Sequence, residues 1–229
     1  MPGFLLKKDQ SLLTSAATRD GRAGFLALAG LRLRPAMNEP HLDRAFYLPR
    51  LPREHYQGDA VVHWTLAIRH REQGWLDERF HSQFRELMLH TATREGLTCP
   101  TYCLMPDHLH LIWMGLRLDS DQLNAVTFLR THLEKHLGTR RFQHQAHDHV
   151  LKQEERQQNA FARVANYILE NPLRAELVND PKEWTFSGAI VPGYPTLHPV
   201  ETDFWPKFWK LYGQARQPDA GKILRPSIT

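Results

Sequence analysis

Two places in the chain set chemically capable side chains at spacings where they can act together. The first is His108-Leu109-His110. On a strand, alternate side chains leave the same face, so the two imidazoles point together while Leu109, Leu111 and Trp113 leave the other. Two imidazoles two residues apart can share a metal ion. The second is Tyr167, followed one helical turn later by Asn171, which puts a phenol and a carboxamide on one helix face. Asn171-Pro172-Leu173-Arg174 then offers a carbonyl ligand or helix cap together with a cation. A weaker candidate is Asp148, between His147 and His149, which is either a carboxylate that orients a metal ligand or a water, or a turn residue. Each has an ordinary reading too: a strand with one polar face, a half-buried tyrosine before a capping asparagine, and a solvated arginine.

The elements that must position these residues can be read along the chain. Asp59 to Ile68 is β-branched and aromatic, the character of a buried first strand. From Asp77 to Glu95, Phe80, Phe84, Leu87, Met88 and Ala92 recur at helical spacing, with Asp77 placed to cap the start and Gly96 to stop the end. Leu97–Met105 reads as a strand that turns at Pro106-Asp107 into a second one, His108–Met114, so the pair is a hairpin. A helix over 119–137 carries Leu123, Val126, Leu129 and Leu133 on one side and ends at Gly138. A strand within 142–151 and a helix over 154–170, closed by Pro172, complete the order β-α-β-β-α-β-α. Its first six elements predict an α+β fold, a ferredoxin-like antiparallel sheet with helices, bearing amino- and carboxy-terminal extensions. The expected divisions are a basic extension over 1–43, a core over 44–190 and an aromatic tail over 191–229.

Composition narrows the function classes. The 229 residues are 41% hydrophobic and 24% charged, with mean hydropathy −0.51, the balance of a soluble globular protein. The longest apolar run, 24–31, is far short of the roughly 20 residues of a membrane span, and no membrane association is expected. Lys and Arg total 29 against 25 acidic residues, a formal charge of +4 with a pI near 9.2, which points toward polyanions. Cys99 and Cys103, four apart in an extended stretch, lie about 13 Å apart, too far for a disulfide. Two free thiols imply a reducing compartment, and a cytoplasmic location is expected.

Taken together, Leu104-Met-Pro-Asp-His-Leu-His-Leu-Ile-Trp113, His147-Asp148-His149 and Tyr167-Ile-Leu-Glu-Asn-Pro-Leu-Arg-Ala175 make the chain resemble the single-tyrosine HUH transposases, most closely the REP-associated tyrosine transposases. The resemblance spans roughly 44–190. It implies the HUH single-strand nuclease fold and a metal-dependent endonuclease and strand transferase acting on single-stranded DNA with hairpin structure. It further implies Mg2+ or Mn2+ held by His108, His110 and Asn171, and Tyr167 as the nucleophile that forms a covalent 5′-phosphotyrosine. Arg174, Arg130, Lys135, Arg140 and Arg141 are the residues expected at DNA phosphates, whereas Trp64 and Trp113 are expected in the core. Monomer and homodimer are both compatible with the resemblance. One position departs from the family pattern: Glu176 stands where glycine is usual, which would cost on the order of 1 kcal/mol if the backbone there is left-handed. Two rivals remain open, a domesticated hairpin-binding protein without strand transfer and a metal hydrolase that uses water as nucleophile.

Overall fold

Strand β1 (Val61–Ala67) forms where the β-branched and aromatic residues crowd. It is second from one edge of a five-stranded sheet of order β4 (His147–Val150), β1, β3 (His108–Gly115), β2 (Leu97–Met105), β5 (Ser187–Ile190), all of whose neighbouring strands are antiparallel. The computed structural model describes residues 49–157 and 159–216. The expected basic extension over 1–43 and the end of the tail beyond Arg216 lie outside the described residues.

Helix α1 (Glu78–Glu95) starts at Asp77, whose carboxylate accepts from the Phe80 amide, and stops at Gly96 with φ of 63°. The hairpin follows as β2 (Leu97–Met105) and β3 (His108–Gly115). In β2 the register shifts between Thr98 and Thr101, a bulge around Pro100 where a missing amide donor is tolerated. That extra residue reverses the alternation. Cys99 therefore packs on one face of the sheet and Cys103 on the other, both buried and free.

Helix α2 (Gln122–Leu133) is capped by Asp121, two residues later than the 119 start read from the sequence, and a 3-10 turn continues it through Glu134–His136. Strand β4 (His147–Val150) is shorter than the 142–151 stretch expected, because Phe142 makes only an isolated bridge with Ile68. The single helix read over 154–170 is two pieces, α3 (Gln153–Gln157) and α4 (Ala160–Leu169), and a short third one, α5 (Asn171–Arg174), follows directly. Asn159, at φ of 59°, makes the break before α4. Two elements of the carboxy-terminal region went unread in the sequence, β5 (Ser187–Ile190) and α6 (Phe204–Ala215).

The two faces of the sheet bury different things. Val62, Trp64 and Leu66 of β1 and Leu109, Leu111 and Trp113 of β3 pack beneath α1 and α2, with both tryptophans fully buried. On the opposite face Val61, Ile112 and Met114 pack with Ala165 and Ile168 of α4 and Phe204 and Phe208 of α6. The same face of β1 and β3 also carries the polar His63, Thr65, His108 and His110 and the small Ala67.

Candidate functional site

Register delivers the histidines. Thr65 of β1 lies opposite His110 of β3, Ala67 opposite His108, and His147 of β4 opposite Thr65. His108 and His110 leave the face that α4 covers, at the end of the hairpin nearest the Pro106-Asp107 turn. Their rings stand at 89° with centroids 4.7 Å apart. Their Nε2 atoms approach to 3.0 Å.

The opposite nitrogen of each ring is held. His108 Nδ1 is 2.5 Å from Asp107 Oδ1, and His110 Nδ1 is 2.9 Å from Thr65 Oγ1 and 3.1 Å from His63 Nε2. With each Nδ1–H donated to these partners, the two Nε2 atoms are left as acceptors turned toward one another, a pair that a divalent cation could share. Burial, then the neighbouring His63 and His108, and then Arg71 push the His110 pKa well below its ordinary value, which keeps the ring neutral as a ligand must be. Burial, with His149 nearby, likewise brings His63 down to about 4. Among the described residues no group of three or more His, Cys, Asp or Glu could hold a metal. The donor set here is two imidazoles, and an ion would have to complete its shell with oxygen from elsewhere.

Tyr167 reaches the pair from α4. Its ring lies edge-on to His110 at 5.7 Å and to His63 at 6.4 Å. The Asn171 amide nitrogen donates to the Tyr167 carbonyl at 3.0 Å, which turns the buried side chain back along the helix and leaves its oxygen as the atom a ligand could use. Arg174 sits over the Tyr167 ring at 5.0 Å and pairs with Glu170 at 2.8 Å. The structure thus brings together His108, His110, Tyr167 and Arg174, with Asn171 bonded to the backbone of the nucleophile candidate.

The other arginines expected at DNA are placed differently. Arg130, half-buried, donates to the carbonyls of Gln143 and His144 and holds that loop, a structural task that turns its guanidinium inward. Arg141 donates to the carbonyls of Gly138 and Arg140, and Arg140 stands 4.0 Å from Glu72. Lys135 is exposed on the turn after α2. The geometry favours the structural one of the two readings of Asp148. It points away from the imidazoles and accepts from Tyr56 Oη at 2.5 Å and Arg50 Nε at 3.0 Å, so its carboxylate anchors the other face.

Sequence reasoning missed four residues. Asp107 was read only as a turn, while His63 and Thr65 were read only as part of a buried strand; their alternation on the strand beside His110 was the available signal. Arg71 is the fourth, 3.2 Å from Asp107. It is delivered by a loop in which His70 and Arg71 both adopt positive φ, 56° and 55°, a conformation that costs an L-residue about 1–2 kcal/mol.

No protein-family model matches the chain, and no curated protein is similar to it. Among solved structures, a REP-associated tyrosine transposase bound to a REP hairpin superimposes with a TM-score of 0.52 at 18% identity, covering 61% of this chain and 82% of that one. The likeness is one of fold. It bears out the antiparallel α+β architecture expected from the element order. No helix among the described residues is long and apolar enough to cross a membrane.

Proposed function

We propose that the chain is a metal-dependent single-stranded DNA transposase of the HUH single-tyrosine type, cleaving and rejoining strands at hairpin sequences through Tyr167. The observation that carries the reading is the convergence of the two Nε2 atoms at 3.0 Å beneath the Tyr167 ring. The fold likeness to a transposase solved with a hairpin supports the same class of substrate. His108 and His110, with the Asn171 oxygen, would hold Mg2+ or Mn2+. When bound, such an ion polarises the scissile phosphate and offsets charge that develops on its oxygens.

The chain's own residues do the rest. The Tyr167 oxygen attacks phosphorus, a new P–O bond forms, and the P–O3′ bond breaks. The phenol proton is lost and the departing 3′ oxygen takes one up, leaving a 5′-phosphotyrosine and a free 3′-hydroxyl. Attack by a 3′-hydroxyl on the phosphotyrosine reverses the step with no nucleotide cofactor. Arg174, poised over the phenol, is a cation beside the phosphate that must come there.

The test is denaturing gel analysis of labelled hairpin oligonucleotides incubated with purified protein and Mg2+ or Mn2+. Wild type gives a covalent adduct, while Tyr167→Phe and His110→Ala give none. Cleavage that survives Tyr167→Phe means water is the nucleophile. Binding of a broad hairpin pool with no adduct in wild type means a binding protein.

A further inference from the structure

A cavity of about 380 Å³ opens at the far end of the same sheet face, between α4, α6 and the strand ends at Val61 and Met114. We propose that it receives an unstacked nucleobase from the single strand that Tyr167 engages, which rests on the function proposed above.

Its walls suit a flat aromatic guest. Phe161 and Trp209 stand 5.0 Å apart at 62°, and Trp209 and Tyr212 stand 5.9 Å apart at 83°, so the rings form non-parallel sides. Trp209 is 42% exposed although it is the largest apolar side chain in the lining. With Phe161 and Tyr212 against it, that indole is part of a contiguous aromatic patch on an open cavity, the kind of surface that marks a binding site. Tyr212 is fixed by donating its hydroxyl to the Gly115 carbonyl at 3.2 Å. Arg216 lies over the Tyr212 ring at 5.4 Å and pairs with Asp59 at 3.2 Å, which sets a cation at the mouth. Aromatic planes with a guanidinium at the rim are the means by which proteins hold bases of a single strand without reading their sequence.

Position ties the cavity to the strand. Met114 is four residues past His110 on the same face of β3, about 13 Å along the strand. Phe161 precedes Tyr167 by six residues on α4, about 9 Å along the helix axis. A strand whose phosphate lies at Tyr167 therefore reaches the cavity within a few nucleotides. The face between is covered by α4, so the strand would follow its solvent side.

The test uses the full chain and a hairpin pool with randomised stems and single-stranded flanks, carrying 5-iododeoxyuridine at one flank position at a time. After irradiation, the crosslinked peptide is mapped. Crosslinks at Phe161, Trp209 or Tyr212 from one or two neighbouring flank positions are expected. Trp209→Ala should lose them and weaken binding of flanked hairpins by between about 5- and 150-fold, the range of one aromatic stack. Trp209→Phe should restore most of that, and hairpins without flanks should bind both variants as they bind wild type. Crosslinks confined to other sites, or an equal loss for flanked and flankless hairpins, would overturn the cavity's role while leaving Tyr167 chemistry intact. Failure of wild type to retain any member of the pool would overturn the underlying function and the cavity's role with it.

Discussion

The two faces of one sheet have been put to opposite uses. Beneath α1 and α2, the inward positions of β1 and of β3 as far as Trp113 are all apolar side chains, and Trp64 and Trp113 are sealed from water. Beneath α4 and α6, the same two strands alternate into His63, Thr65, His108 and His110 at one end and into Val61, Ile112 and Met114 at the other. A single period-two pattern writes both, since each residue on one face is flanked by residues on the other. The first face supplies burial, roughly 25 cal/mol for each Å² of apolar surface removed from water. The second gives up part of that gain to keep polar groups paired, His110 buried and its neighbours His63, Thr65 and His108 partly exposed. A sheet stable enough through one face can carry chemistry on the other.

The largest test of this division compares Trp113→Ala with His110→Ala. Neighbours on the strands, they face opposite ways. Truncating a sealed tryptophan should cost about 3–5 kcal/mol in urea unfolding, because the cavity has no way to collapse between sheet and helices. The His110 variant should unfold within about 1 kcal/mol of wild type while losing the adduct entirely. If both variants lose stability alike, the second face is structural and the division fails.

Acid is a milder probe that reaches both faces. His81 of α1 accepts from Tyr102 Oη, which itself accepts from Arg85, and burial brings the His81 pKa down to about 4, with Arg85 and His198 adding to the shift. His63 on the other face is likewise down at about 4. Both rings are neutral in the folded chain but protonate near 6.5 when it unfolds, so between those values the unfolded state binds more protons. The stability they support is complete above pH 6.5 and is lost as pH falls toward 4. Metal-free thermal unfolding across that window should show the decline, and His81→Asn and His63→Asn should each flatten it. A profile unchanged by either variant would show that neither ring is held neutral by the fold.

How much of this was legible in the sequence depends on whether the signal was local. Asp77 and Gly96 bracket α1 because a cap and a left-handed stop act within one turn, and the hairpin through Pro106-Asp107 shows itself the same way. The pairing of His108 with His110 follows from strand alternation alone. What covers them does not. Ser187–Ile190 carries no strong strand signal and becomes β5 because β2 offers it an edge. The break at Asn159 lacks both glycine and proline, and whether α4 lies over the histidines or the tryptophans is decided only when the chain folds back. Asp107, Thr65 and His63 fell between these cases: their types were plain, but their task depends on a neighbour 1, 45 or 47 residues away.

Asp107 sharpens the site itself. Its carboxylate is shared between His108 Nδ1 and Arg71, so it orients one of the two imidazoles proposed to hold the ion and is in turn held by a cation. As a positioning residue it should tune metal affinity more than the chemistry that follows. Asp107→Asn should weaken Mn2+ binding by about 10- to 100-fold, read by electron paramagnetic resonance. Excess Mn2+ should then restore adduct formation, which it would not do if the carboxylate touched the reacting phosphate.

The smallest effect lies where the helices on the two faces stop. On the first face, α1 ends at Gly96 with φ of 63°, and the turn after α2 ends at Gly138 with φ of 65°. On the second, α5 ends into Glu176, which adopts φ of 56° with a side chain attached. The glycine usual at this position in the family that the chain resembles thus has its physical reason, a left-handed residue that costs an L-amino acid about 1–2 kcal/mol. Glu176→Gly removes that cost but adds conformational freedom to the unfolded chain, worth about 0.4–1 kcal/mol in the other direction. The net gain should be about 0.5 kcal/mol, a rise of roughly 1–2 °C in Tm for a chain of this size. Glu176→Ala, which keeps the Cβ and loses only the carboxylate, should give none of it. A gain of the same size in the alanine variant would place the penalty in the charge of Glu176 rather than in its backbone. The second face would then owe nothing in strain at its helix end.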